Sequence, residues 1–215
     1  MLENSANWVA EMIQKEPSLR VLEQKPEGFL LIERDEGSPF LVAAMGVRND
    51  SIEPGHVRAF LRHATPAFFV NVPSKTLWSG AAISIIHSTP AAFGKLGEIS
   101  KAADHSNVAS YRNKEWKYFE TAFQQHTNVS GVIRIYDEVF LTERRRGKAI
   151  KIALVHAYNM SAEDVRNARE RFGPFDVALK TTSYGSITTS AASAAASIGA
   201  EALTIRELYK RLAKT

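Results

Sequence analysis

The chain has 215 residues, of which 45% are hydrophobic and 23% charged, enough to bury a core in one large domain or two small ones. It contains no cysteine, which excludes a disulfide framework, a thiolate metal site and a cysteine nucleophile. The net charge of +4 is unevenly shared: residues 1–107 hold 10 Lys/Arg against 12 Asp/Glu, and residues 108–215 hold 17 against 11. A basic second half suits a surface that faces a polyanion. No apolar run reaches the roughly 20 residues that span a bilayer. The opening "MLENSANWVAEMIQKEP" lacks the basic-then-apolar layout of a signal peptide, so the expectation is a cytoplasmic protein with no membrane partner.

In chain order, "NSANWVAEMIQKEP" spaces Trp8, Val9, Met12 and Ile13 as a helix does. "LRVLEQ", "GFLLIERD" and "FLVAAMGV" follow as three strands separated by the turn signals "KPEG" and "DEGSP", which predicts an antiparallel meander. "SIEPGHVRAFLRHA" predicts a second helix, with Val57, Phe60 and Leu61 on one side. A short apolar strand "AFFVNVP", a buried helix "WSGAAISIIHS", a strand "AAFGKL" and a helix "GEISKAA" complete the first half.

The second half has the same order. The helix "KEWKYFETAFQQH" precedes strands "GVIRIYD", "VFLTERRR" and "KIALVHAY". Then come the helix "SAEDVRNARERFG", the strand "FDVALKTT", the helix "SITTSAASAAASIG", the strand "AEALTI" and the helix "RELYKRLAK". At an offset of 110, Glu33-Arg34 falls on Glu143-Arg144, Asn49 on Asn159, Ser51 on Ser161 and Glu53 on Glu163. The expected fold class is therefore α/β, with two tandem copies of an α-βββ-α-β-α-β-α unit related by a pseudo-twofold axis. The expected domains are residues 1–104 and 113–215, divided by the polar stretch "ADHSNVASYRN".

That element order resembles the restriction-endonuclease-like, PD-(D/E)XK fold. The C-terminal "FDVALKTTSYGSITTSAASAAASIGAEALTIRELYKRLA" is similar to the end of Mrr-type domains, and "FFVNVPSKTLWSGAAISII" is its weaker counterpart in the first half. The resemblance implies an acid near the start of the second meander strand. It also implies a Glu-x-Lys or Gln-x-Lys on the third, which together hold Mg²⁺ against a phosphate. Glu27 stands at the acid position of the first half, and Asp137 and Glu138 at that of the second. The third strands, "FLVAAMG" and "IKIALVH", lack the acid-x-Lys pair, and His156 is the one candidate substitute for the lysine. The resemblance thus points to a catalytically degenerate nuclease.

No Walker loop, dinucleotide fingerprint, nucleophile elbow or zinc-spaced histidine pair occurs. Two loops leave the carboxyl ends of predicted central strands, where open α/β sheets bind ligands. They place Ser74, Lys75 and Trp78 in the first half and Thr182, Ser183 and Tyr184 in the second. Ser and Thr there also serve as helix caps, and the two aromatic residues as covers for the core edge. "ERRRGK" is a cationic hairpin tip, which makes Arg144, Arg145, Arg146, Lys148 and Lys151 the candidate nucleic-acid-binding residues. The corresponding "ERDEGS" is acidic.

The expected function is binding of nucleic acid or another polyanion, without a cofactor. One alternative is a diverged nuclease that uses Mg²⁺, with ligands from Glu27, Glu33, Asp137, Glu138 and Glu143. Another is a protein-interaction module of defence or phage origin, with a protein partner or self-association.

Overall fold

A computed structural model describes residues 2–214 and divides the chain into two compact units, residues 1–113 and 114–215. In the first unit, helix α1 (Leu2–Ile13) leads into strands β1 (Leu19–Lys25), β2 (Phe29–Arg34) and β3 (Phe40–Met45). After these come β4 (Ser51–Ile52), α2 (Pro54–Leu61), β5 (Phe68–Asn71), β6 (Leu77–Trp78), α3 (Gly80–Ser88), β7 (Ala92–Gly94) and α4 (Glu98–Ala103). The main sheet has the order β1-β2-β3-β5-β7. Its first three strands pair antiparallel, and β5 and β7 add in parallel.

Alternation along the strands decides which helices cover which face. Leu30, Ile32, Val42, Ala44, Phe68 and Val70 share a core with Val9, Ala10 and Ile13 of α1 and with Ile99 and Ala102 of α4. The out-of-phase residues look the other way: Phe60 of α2 meets Phe29 edge-on at 5.5 Å and Phe69 at 6.4 Å. Helices on both faces explain why all four residues of β5 are buried, as strands of parallel sheets usually are. Each large side chain so buried contributes about 1.5–3 kcal/mol of transfer free energy.

The second unit comprises α5 (Lys114–Gln124), β8 (Val129–Tyr136), β9 (Val139–Arg144), β10 (Ile150–Val155), α6 (Ala162–Phe172), β11 (Val177–Lys180), α7 (Thr189–Ser197), β12 (Glu201–Leu203) and α8 (Ile205–Ala213). Its sheet runs β12-β11-β10-β9-β8, again an antiparallel meander extended by two parallel strands. Phe123 of α5 packs edge-on against Phe140 of β9 at 5.6 Å.

Several expectations are corrected. The polar stretch 103–113 is not a linker: Tyr111 is buried, lies 6.1 Å from the Phe68 ring and donates to Glu98 at 2.8 Å. The first unit therefore extends past residue 104. Trp78 stands on a short strand paired in parallel with β4, and helix α3 starts only after the Ser79 cap, whose hydroxyl accepts from the Ala82 N–H. Likewise α7 begins after Thr188 rather than at Ser186. Ser51 and Ser161 match in sequence but not in role: Ser161 caps α6, whereas Ser51 lies in β4 and Glu53 caps α2.

Candidate nucleic-acid interface

The β9–β10 hairpin ends the second sheet at a tight turn, where Gly147 takes a φ of +93° and a Cβ would lie 2.5 Å from the Arg144 guanidinium. Only glycine leaves room for that side chain to fold back. Arg144 donates through Nε to the Lys148 carbonyl at 2.6 Å, and through Nη1 to the Lys214 carbonyl at 2.6 Å. It thus closes its own turn and places a cation at the carbonyl end of α8, where the helix dipole is negative. Burial, and then the neighbouring Arg211, hold its pKa below the ordinary arginine value. Asn128 fixes the rest of the tip: its carbonyl accepts from the Arg145 N–H at 2.8 Å, and its side chain bridges Arg146 and the Leu212 carbonyl.

Arg144 is therefore a structural clasp, which removes it from the freely presented cations expected at the tip. Arg145, Arg146 and Lys148 remain exposed, and Lys151 is half-buried on β10. The clasp also brings in residues whose place in the sequence gave no sign of it. Lys210 in the last turn of α8 and Lys214 just past its end are exposed, and Arg211 pairs with Glu201 at 2.6 Å.

The first unit uses the same device with the opposite charge around it. Arg34 donates to the Ser38 carbonyl at 3.2 Å and to the Ala103 carbonyl at 2.7 Å, beside Gly37 at φ +107°. There, however, the tip and the end of α4 present Asp35, Glu36 and Asp104, which line a cavity with His105.

The carboxyl end of β10 lies at the other end of the sheet, about 20 Å away along six residues of strand. It holds the residues at the acid position of the resemblance. Asp137 is buried in the β8–β9 turn beside Arg134, while Glu138 pairs with Arg171 at 2.7 Å. Arg134 also donates to Glu120 at 2.7 Å and lies over the Phe140 ring; its pKa is lowered, chiefly by burial. Glu27, in the corresponding turn of the first unit, is exposed at a φ of +58°. The Glu143 backbone pairs with Gly131, and Glu33 pairs with Arg20 at 3.0 Å on an exposed surface. Both third strands bury all but one of their residues and carry no carboxylate. Among the described residues, no group of three or more His, Asp or Glu is placed to hold a metal ion.

His156 directs Nδ1 at both the Glu115 carboxylate (3.3 Å) and the Thr181 hydroxyl (3.2 Å). A relay of the serine-protease type needs partners on the two different ring nitrogens, so this is not such a triad. At the neighbouring strand end Lys180 is buried, and its ammonium donates to the Thr182 carbonyl (2.7 Å), the Thr182 hydroxyl (2.6 Å) and the Tyr184 carbonyl. Thr182 also donates to the Ala157 carbonyl, and Asn159 Oδ1 accepts from the Ser186 N–H at 2.9 Å. Ser183 and Tyr184 are exposed, so Tyr184 does not cover the core. In the first unit, buried Asn71 takes the place of Lys180, bonding the Val47 and Pro73 carbonyls. Ser74 and Lys75 are exposed there, while Trp78 is buried against Phe93 at 5.0 Å.

Compared with known protein families, with curated proteins and with solved structures, the chain gives no match. No helix among the described residues is long and apolar enough to cross a membrane.

Proposed function

We propose that this chain is a tandem duplication of one restriction-endonuclease-like unit with a degenerate metal site, and that its second unit binds nucleic acid through the β9–β10 tip and the end of α8. The duplication is supported by the shared strand order and by the pairs Arg34/Arg144 and Gly37/Gly147, which do the same work at one offset. The degenerate site is supported by the third strands without carboxylates and by Arg171 on Glu138.

One observation carries the binding reading: at the same place in the fold, Asp35, Glu36 and Asp104 of one unit are exchanged for Arg145, Arg146, Lys148, Lys210 and Lys214 of the other. The clasp needs neither set, so the charge of the tip answers to something outside the fold. Converging Arg and Lys neutralise phosphates, and release of counterions makes that binding steeply dependent on salt.

The test is anisotropy of a labelled 20-base-pair duplex at rising salt, with the parent and with Arg145→Ala/Arg146→Ala/Lys148→Ala. Each phosphate contact contributes about 0.9 to the log-log slope, so the variant should lose roughly two to three units of slope if each residue makes one contact. Unchanged affinity and slope would reject the tip as the interface.

A further inference from the structure

At the carboxyl end of the parallel strands two tyrosines stand out from the second unit: Tyr158 is 67% exposed and Tyr184 is 74% exposed. Neither covers core. Their backbones are nevertheless locked to each other. Gly185, at φ +74°, lies so close to the Tyr158 carbonyl that a Cβ on it would come within 1.9 Å of that oxygen. The Ser186 N–H and hydroxyl meet Asn159 Oδ1, the Met160 N–H donates to the Ser186 carbonyl at 2.8 Å, and Thr182 ties down Ala157. Two loops are thus laced into one joint that carries both exposed tyrosines.

Beneath the joint lies Lys180, 3% exposed, whose partners among the described residues are two carbonyls and a hydroxyl, all neutral. Held on the Thr182 and Tyr184 carbonyls, that ammonium sets a positive charge directly against the loop that carries Tyr184. His156, two residues before Tyr158 on the same strand extension, is largely exposed and is tied to Glu115 and Thr181.

Exposed rings on a braced backbone, beside positive charge, are what a single-stranded nucleic acid needs: every base offers a π-face for stacking, and the backbone requires a cation. We propose that Tyr158 and Tyr184 form a base-stacking platform for single-stranded nucleic acid, braced and charged from below by Lys180. The inference rests on the reading of this chain as a nucleic-acid-binding protein and names the strand form it takes. It uses the end of the sheet opposite the basic tip.

The test compares labelled dT20 with a 20-mer of the same length whose sites are abasic, so that phosphates are matched and bases are not. The parent should bind dT20 more tightly, by about tenfold or more for each ring engaged. Tyr158→Ala/Tyr184→Ala should bring the two strands to equal affinity. Tyr158→Phe/Tyr184→Phe, which keeps the rings, should retain the preference. Circular dichroism is expected to be unchanged in all of these, since neither side chain is packed in the core.

Equal binding of dT20 and the abasic strand by the parent, or a preference that survives the alanine pair, overturns the platform and leaves the backbone-binding reading standing. If neither strand nor a duplex binds at low salt, both readings fall.

Discussion

Arg144 donates through Nε to the Lys148 carbonyl four residues on, and with the same guanidinium reaches the Lys214 carbonyl at the end of α8. The residue that looks most like a phosphate ligand is thereby a structural one. Arg144→Ala should destabilise the second unit by about 1.5–3 kcal/mol, the range for charged hydrogen bonds, as read by urea unfolding. Arg145→Ala/Arg146→Ala should leave the unfolding free energy within about 0.5 kcal/mol of the parent while weakening duplex binding. The reverse pattern would show that Arg144 is a ligand and its neighbours the clasp.

Tyr111 joins the first unit's last segment to its core through Glu98. Burial first, and then the hydrogen bond to Glu98, raise the Tyr111 pKa above the ordinary tyrosine value. A raised pKa means that its stabilising contribution is complete below the unfolded value near pH 10 and is lost as pH climbs above it. Tyr111→Phe should cost about 2 kcal/mol at pH 8, and the variant should lose less stability than the parent between pH 8 and pH 10.5. Parallel losses in the two proteins would remove Tyr111 as the titrating group.

The start of α8 gives the opposite sign. Glu207 accepts from the Thr204 N–H at 2.8 Å and from its hydroxyl at 2.7 Å, and these bonds lower its pKa. The stabilisation is present above the unfolded carboxylate value and is lost as pH falls through the lower folded value. Glu207→Gln should cost about 1 kcal/mol at neutral pH and weaken the acid-side decline in unfolding free energy.

No cleavage of plasmid DNA or of RNA is expected with Mg²⁺ or Mn²⁺. Arg171 engages Glu138, Asp137 is buried, and β10 offers no third-strand acid. Metal-dependent cutting that disappears with Asp137→Ala would overturn this.

The meander and its flanking helices were readable because alternation and turn signals act locally: "KPEG" and "DEGSP" mark the two turns, and "FLLIER" shows the two faces. What could not be read depended on distant partners. Arg34 and Arg144 sit in charged runs that look solvated, and their true acceptors lie about 70 residues on. The one available signal was the repetition of Glu-Arg followed three residues later by Gly at both positions. Lys180 reads as a surface lysine at a strand end, and only the folded-back loop supplies its three oxygens. Polarity misled at residues 103–113, where Val108 and Tyr111 are apolar anchors spaced too irregularly to show a period.

Every strand of the first sheet is contributed by residues before 95, and the last anchor of that unit is Tyr111; the second sheet draws only on residues after 128. Among the described residues, no strand crosses from one half of the chain to the other. During synthesis, then, the first unit has its partners once Asn113, which donates to Glu98 at 2.6 Å, has left the ribosome, and can fold before β8 exists. The second unit must wait for β12 and for the Lys214 carbonyl that Arg144 clasps, so its set of partners is complete only well after that of the first.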